Sequence, residues 1–217
     1  MLRVFIGYDP RQPIAYHIAA HSVMTRASQP VAVSPLILSQ LPITRRGLTA
    51  FTYSRFLVPY LSGFEGQSLF LDADVLCLAD VIELLEPRRS RAPVHVVPHQ
   101  RTFERPSVML FDNATCRQLT PAYVEDQRHP LFDLAWAGEI GALEARWNHL
   151  VGYDPPRPDA KLVHFTQGIP VWPETAQCEY AEAWHADAKQ ALSSVSFGEL
   201  MGSSVHPVAR AAAGGGR

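Results

Sequence analysis

Apolar runs short enough for strands alternate with longer helical stretches from the first residue onward, and this alternation limits the fold more than any other feature. "LRVFIGYD" reads as a strand ending at a polar turn. "PIAYHIAAHSVMTRAS" reads as a helix with Pro13 at a first helical position. "VAVSPLIL" is a second strand, and Pro35 within it predicts an edge or a bend. "GLTAFTYSRFLVPYL" carries a helical pattern as far as Pro59. "QSLFLDADVLC" is the most strand-like run, and "LADVIELLEP" predicts a short helix closed by Pro87. "APVHVVPH" and "PSVMLFDN" are strands by their valine content, and Asn113 is placed to cap a helix over "ATCRQLTPAYVED". "PLFDLAWAGEIGALEARW" is mostly helical in composition, loosened by Gly138 and Gly141. "KLVHFT" is the last strand, and "TAQCEYAEAWHADAKQALSS" the last helix. Such an order predicts an α/β fold whose mostly parallel sheet is covered on both faces. Ligands gather at the carboxyl ends of strands in sheets of this kind, which sets "GYD", "DAD" and the segment after "KLVHFT" on one edge.

At 217 residues the chain fits one α/β domain with a full core, expected over 1–205, with 206–217 as a disordered tail. A net charge of −2, from 19 basic and 21 acidic side chains, gives no global field for nucleic acid or an anionic membrane. Any polyanion must therefore be held locally. Cys77, Cys116 and Cys178 are scattered without a CxxC pair, which supports neither a disulfide framework nor a zinc knuckle. The first apolar run is too short for a signal peptide, and no window approaches the roughly 18 apolar residues of a membrane span. The expectation is a soluble cytoplasmic protein.

Within "LFLDADVLCLAD" two carboxylates interrupt core-quality sequence. Alternation along a strand sets Leu69, Leu71, Ala73 and Val75 on one face and Phe70, Asp72 and Asp74 on the other. Two carboxylates about 6.5 Å apart at their Cα atoms repel unless something positive lies between them. A divalent cation does this directly, because hard cations take oxygen ligands. One aspartate could instead reach a ribose hydroxyl while the other holds the metal. The plainer alternative is that one aspartate caps a turn and the other is solvated. Arg55, in "FTYSRF", makes fork-shaped contacts with phosphate or sugar hydroxyls, or else serves as a surface or salt-bridge residue. In "KLVHFTQGIPVW", alternation groups Leu162, His164 and Thr166, and His164 then meets a Gly-containing loop whose bare amides could approach a phosphate. Two aspartates and a histidine make a mixed oxygen and nitrogen shell. Mn²⁺ suits it better than Mg²⁺, which remains the runner-up.

These segments resemble, in order, those of GT-A-fold glycosyltransferases, closest to glycosyltransferase family 8 and its bacterial relatives. "VFIGYDP" resembles the first strand and nucleotide-contacting turn, "TYSRF" the tyrosine–x–arginine segment, and "LFLDADVL" the metal strand. "SVMLFDN", "RWNHLVG" and "VHFTQGIPVW" resemble the later conserved-order segments, so the likeness runs from about residue 4 to residue 172. The resemblance implies a GT-A, Rossmann-like fold and a Mn²⁺-dependent, retaining transfer from a UDP-linked donor to an acceptor hydroxyl. The acceptor would be a saccharide, a lipid-linked glycan or a protein. It implies Asp72, Asp74 and His164 as metal ligands, with Tyr8, Asp9, Tyr53 and Asp72 at the nucleotide. Arg55 would touch the donor sugar or its phosphate, and Gly168 would let a loop close over the diphosphate. The family's Asp-Gln pair near the reacting sugar has its nearest comparable place at Glu139, with Asp133 second. The family's loop lysine is replaced by Ile169 and Val171, with Lys161 close in sequence, and the glycine of its "SGVM" run is missing from "PSVM".

Plainer roles compete for several residues. His17 and His21 have i,i+4 zinc-ligand spacing but no HExxH glutamate, so they read as amphipathic helix residues. Trp147, Trp172 and Trp184 could stack on sugars or fill the core. "RRSR" is a solvated loop, or a holder of an anionic acceptor or lipid headgroup. Two other function classes stand against the transferase: a non-catalytic nucleotide-sugar or glycan-binding protein, and a haloacid-dehalogenase-type phosphatase. The phosphatase motif needs Thr or Val where Leu76 stands, and needs it near the chain's start.

Overall fold

The computed structural model describes residues 1–85 and 91–193. The expected tail over 206–217 and most of "RRSR" lie outside the described residues. Along the chain run β1 (Leu2–Gly7), α1 (Pro13–Arg26), β2 (Val31–Leu36), α2 (Val58–Leu61), β3 (Gln67–Leu71), β4 (Val75–Cys77) and β5 (Val94–Val96). Then come β6 (Val108–Asp112), α3 (Pro121–Glu125), β7 (Ile140–Ala142), β8 (His149–Leu150), β9 (Leu162–His164) and α4 (Ala181–Ala191). Short 3-10 turns fill much of the rest.

The main sheet has six strands in the order β2-β1-β3-β6-β5-β7. β1 pairs parallel with β2 and β3, and β5 parallel with β7; β6 runs antiparallel to both its neighbours. Five strands thus point one way and one is reversed, so the sheet is mostly parallel, as expected. β2 is an edge strand, which accommodates the missing N–H of Pro35. Strand alternation divides the core. Val4, Ile6, Leu69, Leu71, Val108 and Leu110 pack in one cluster, and Phe5, Phe70, Met109 and Phe111 in another. Apolar residues on both faces are what a strand covered on both sides requires.

α1 starts at Pro13, whose fixed φ and missing N–H suit a first helical position. Ala19, Ala20 and Val23 face the sheet, and the helix also meets α4. There the Arg26 guanidinium donates to both oxygens of buried Asp187 at 2.9 and 2.7 Å, and His21 Nδ1 lies 3.2 Å from the same carboxylate. That contact accounts for His21 without a metal. Trp184 of α4 is 2% exposed and Trp147 4% exposed, so both fill the core.

Several sequence expectations differ from the fold. "GLTAFTYSRFLVPYL" is turns and a 3-10 turn as far as Leu57, with the four-residue α2 only after it, and "LADVIELLEP" forms a 3-10 turn over Val81–Leu85. "PLFDLAWAGEIGALEARW" is 3-10 turns around β7 rather than a helix, because Leu134 (φ 59°) and Gly138 (φ 69°) are left-handed and break any helical run. Asn113 does not cap the following helix. Its Nδ2 donates to the Glu65 carbonyl and Ser68 Oγ, both at 2.9 Å, and α3 is capped by Thr120. "QSLFLDADVLC" is two strands, not one. The chain leaves the main sheet at Leu71 and enters a second, three-stranded sheet, β4-β9-β8, at Val75. Ala73 consequently packs with Phe70 and Leu76 instead of with Leu69 and Val75. "KLVHFT" likewise belongs to the small sheet.

Candidate active site

The "DAD" turn is the junction of the two sheets, and a backbone hydrogen bond pins each aspartate. The Asp72 N–H donates to the Ser107 carbonyl just before β6 at 2.9 Å; the Asp74 carbonyl accepts from the Phe165 N–H just after β9 at 2.9 Å. β4 and β9 are antiparallel with Val75 opposite His164, so the histidine arrives beside Asp74. His164 Nε2 stands 3.3 Å from Asp74 Oδ1 and 4.0 Å from Asp72 Oδ2. One ligand atom from each of Asp72, Asp74 and His164 lies within 4.8 Å of the others, the one such grouping of metal-ligating side chains among the described residues.

The surroundings prepare the three for a cation. Asn148 Nδ2 donates to the Glu104 carbonyl at 3.3 Å, which turns its Oδ1 toward His164 Nδ1 at 3.2 Å. Nδ1 therefore carries the proton in that bond, and Nε2 faces the carboxylates, the arrangement typical of metal-ligating histidines. Arg55 Nη1 is 3.0 Å from Asp72 Oδ1, but it directs its hydrogen bond to the Pro106 carbonyl at 2.9 Å. Asp72 Oδ1 is thus a buried oxygen without a hydrogen bond. Burial pushes the Asp72 carboxyl up to about 6 against the pull of Arg55 and His164. Burial also works against a charged His164, yet Asp74, then Asp72 and Glu104, hold its pKa up at about 9. Asp74 is half-buried, and although desolvation works against its charge, the His164 charge and hydrogen bond keep its pKa below the ordinary value. Asp72 Oδ2, which faces His164, the Asp74 carboxylate and an oriented imidazole nitrogen form a donor set that fits a divalent cation.

A groove leads from this cluster across the carboxyl ends of β1 and β2. A recess of about 320 Å³ is lined by Asp74, Ala73, Phe51, Arg11 and the exposed Trp172. It adjoins one of about 330 Å³ that shares Asp9, Arg11 and Thr49 with it. That in turn shares Pro10, Leu38, Arg46 and Ala50 with an apolar recess of about 440 Å³ beside Tyr8, Ile37 and Ile43. Gly7 permits the groove floor: a Cβ there would sit 2.5 Å from the Phe51 ring.

No protein-family model matches the chain. The fold is that of solved glycosyltransferases. It is similar to the bifunctional glycosyltransferase WbbM (TM-score 0.63, 15% identity, covering 86% of this chain and 49% of that one). An active-site mutant of LgtC gives TM-score 0.63 at 13% identity over 90% of this chain and 98% of that one. GlyE of Streptococcus pneumoniae TIGR4 gives 0.62 at 16% identity over 87% and 61%. The chain thus spans about half of WbbM and nearly all of LgtC. In sequence, Protein CDI of Arabidopsis thaliana is 32% identical over 219 aligned positions, covering 84% of each protein. The chain belongs to the Protein CDI family.

In this CDI-family chain the remaining expected site residues fall in several places. Tyr8 and Asp9 line the groove, but Asp9 is already taken by the Arg11 N–H at 3.0 Å, the Arg11 guanidinium at 2.9 and 2.6 Å and the Ala50 N–H at 3.3 Å. Arg55 is buried against Asp72 and lies over Phe51, Phe70 and Phe132, in the salt-bridge alternative rather than on the groove wall. Tyr53 lies under the Arg45 guanidinium at 3.9 Å and meets Phe132 edge-on. Gly168 has φ 110°, which favours glycine, and its N–H donates to the Phe165 carbonyl at 2.8 Å instead of pointing to a ligand. Lys161 is ion-paired with Glu83 at the other end of β9, so it does not replace the loop lysine.

Glu139 is not brought to the cluster. Ile140 is level with Val94, Val94 with Phe111 and Phe111 with Ser68, four residues before Asp72. Glu139 therefore stands at the amino-terminal end of the sheet, more than about 13 Å along the strand direction from Asp72. The chain's literal Asp-Gln pair, Asp126–Gln127, has its carboxylate taken by Arg128, whose N–H and guanidinium donate to it at 2.6–3.1 Å. Arg45 donates to the Asp126 carbonyl at 3.0 Å and covers Tyr53, which touches Phe132, which lies 5.7 Å from the Arg55 guanidinium. Glu104 and Asn148 are the residues sequence reasoning did not assign. "RWN" flags Asn148, whereas nothing in "TFERPS" marks Glu104.

Proposed function

We propose that this chain is a metal-dependent glycosyltransferase that moves a sugar from a nucleotide-sugar donor to an acceptor hydroxyl. One observation carries the reading: Asp72, Asp74 and His164, from segments far apart in sequence, converge at a groove mouth on a glycosyltransferase fold. The mixed donor set favours Mn²⁺, with Mg²⁺ second. The resemblance to family 8 supports a UDP-linked donor and retention at the anomeric carbon. LgtC, whose structure has been described in complex with donor and acceptor sugar analogs, supports a two-substrate groove of this kind.

Breaking the sugar–phosphate bond leaves extra negative charge on the diphosphate. A bound divalent cation supplies the positive charge that stabilises it. The chain's own residues do the rest. Asp72, Asp74 and His164 hold the ion; Asn148 fixes the imidazole, and Arg55 fixes Asp72. Trp172 and its loop stand beside Asp74 and restrict water, which would otherwise hydrolyse the donor.

The test is release of UDP from UDP-glucose and UDP-galactose with and without Mn²⁺, since slow donor hydrolysis needs no acceptor. Asp74→Asn should abolish Mn²⁺-dependent release and retain the fold. Wild-type turnover in that variant would remove the metal assignment. Mn²⁺-dependent binding of both donors without any release, with or without candidate acceptors, would favour the non-catalytic alternative. The phosphatase alternative is set aside, because "DAD" follows β3 on a glycosyltransferase fold.

A further inference from the structure

The loop that follows β9 brings no cation to the groove. Its residues after Thr166 are Gln167, Gly168, Ile169, Pro170, Val171 and Trp172; Ile169 is buried, and the Gly168 amide is used by Phe165. A nucleoside diphosphate carries more negative charge than one divalent cation cancels, and phosphate oxygens are best met by guanidinium donors. Two arginines line the groove between its apolar recess and Asp74. Arg46 borders both the recess of about 440 Å³ and the adjoining one of about 330 Å³. It makes no hydrogen bond or ion pair among the described residues, although it is exposed beside Leu48 and Gly47. Arg11 borders the 330 Å³ recess and the 320 Å³ recess that contains Asp74.

Arg11 is held in place. Its Nε and Nη2 donate to the two Asp9 oxygens, and Nη2 also donates to the Leu48 carbonyl at 2.9 Å. Its Nη1 has no hydrogen bond among the described residues. Asp9 is held in turn by backbone N–H groups of Arg11 and Ala50. The aspartate expected to reach a ribose is therefore spent on orienting an arginine.

We propose that Arg46 and Arg11 form the diphosphate-binding wall of the groove, supplying from the 46–50 segment and the turn between β1 and α1 the positive charge that the loop after β9 lacks. Asp9 is then a positioning residue for Arg11. The inference rests on the nucleotide-sugar reading above.

Uridine, UMP and UDP titrated calorimetrically into Mn²⁺-loaded protein test it, with GDP run alongside. Arg46→Ala is the principal variant, since an exposed side chain without partners can be removed without disturbing the fold. Arg11→Gln is the second. UDP affinity should fall about 10–100-fold for each, the worth of a hydrogen bond to a charged group, and uridine affinity should not change. Arg46→Lys should recover part of the loss. If wild-type protein binds UDP and both variants bind it equally well, the arginine wall is wrong and the nucleotide reading stands. Equal losses for uridine and UDP would mean that the arginines shape the base recess, which also overturns the proposal. If wild-type protein binds neither UDP nor GDP, the nucleotide reading itself fails.

Discussion

Arg55→Met separates the two roles open to this arginine. The guanidinium is about 6% exposed, 3.0 Å from Asp72 Oδ1, bonded to the Pro106 carbonyl and surrounded by the rings of Phe51, Phe70 and Phe132. Methionine keeps most of the stem's apolar contacts and removes the charge. Breaking a buried ion pair from one side costs about 3–5 kcal/mol, because the partner charge stays buried. For a domain of this size each kcal/mol moves Tm by about 2–4 °C, so the variant should melt about 6–20 °C lower. Mn²⁺ at a hundred times its Kd should return about 2.7 kcal/mol. The gain in the variant should be at least that of the parent, since a cation then faces an Asp72 that has lost its other positive neighbour. Urea unfolding and thermal melts with and without Mn²⁺ measure both quantities. Suppose instead that the variant unfolds within about 1 kcal/mol of the parent and loses only turnover. The guanidinium would then face the donor, and the buried-pair reasoning would be refuted.

Other perturbations test the neighbouring contacts. Asn148→Ala should weaken Mn²⁺ binding about 10–100-fold by freeing the His164 ring; unchanged affinity by calorimetry would show that Asn148 does not orient it. Glu139→Ala should keep full donor turnover; a loss of more than about tenfold, worth about 1.4 kcal/mol in the transition state, would restore Glu139 to the site. His164 has a folded-state pKa of about 9 against 6.5 for the model group, so its stabilising contribution is full below pH 6.5 and is lost as pH rises toward 9. Metal-free protein should accordingly lose Tm across that window, while apparent Mn²⁺ affinity rises, because binding must displace the proton. A metal-free Tm that climbs from pH 6.5 to 9 would contradict this. Asp187→Ala should destabilise by about 1.5–3 kcal/mol, the worth of hydrogen bonds to a charged group, since the half-exposed Arg26 loses its partner at the α1–α4 contact; urea midpoints with an unchanged m-value would report it.

Local sequence was informative wherever the determining contacts were local. The valine- and leucine-rich runs gave β1, β3, β6 and the edge position of β2, because a pleated strand repeats every two residues and Pro35 cannot donate to a central ladder. The helix starting at Pro13 was equally legible. Reading failed over 130–147, where apolar content resembled a helix but left-handed Leu134 and Gly138 divided the segment into turns. Nothing in the composition of a leucine marks a positive φ, since neighbouring packing imposes it.

The chain alone determined which residue types could hold a cation, and that "DAD" follows a strand of an α/β sheet. Only the tertiary structure decided that the strand breaks at Leu71 and changes sheets, so that β4 carries Asp74 to His164. It also decided that Arg55 serves Asp72, that Asp9 serves Arg11, and that Glu139 stands at the opposite end. The reason is physical. Periodicity along a chain fixes the direction of a side chain over a few residues, whereas the partner of a buried charge is set by which distant segment packs there.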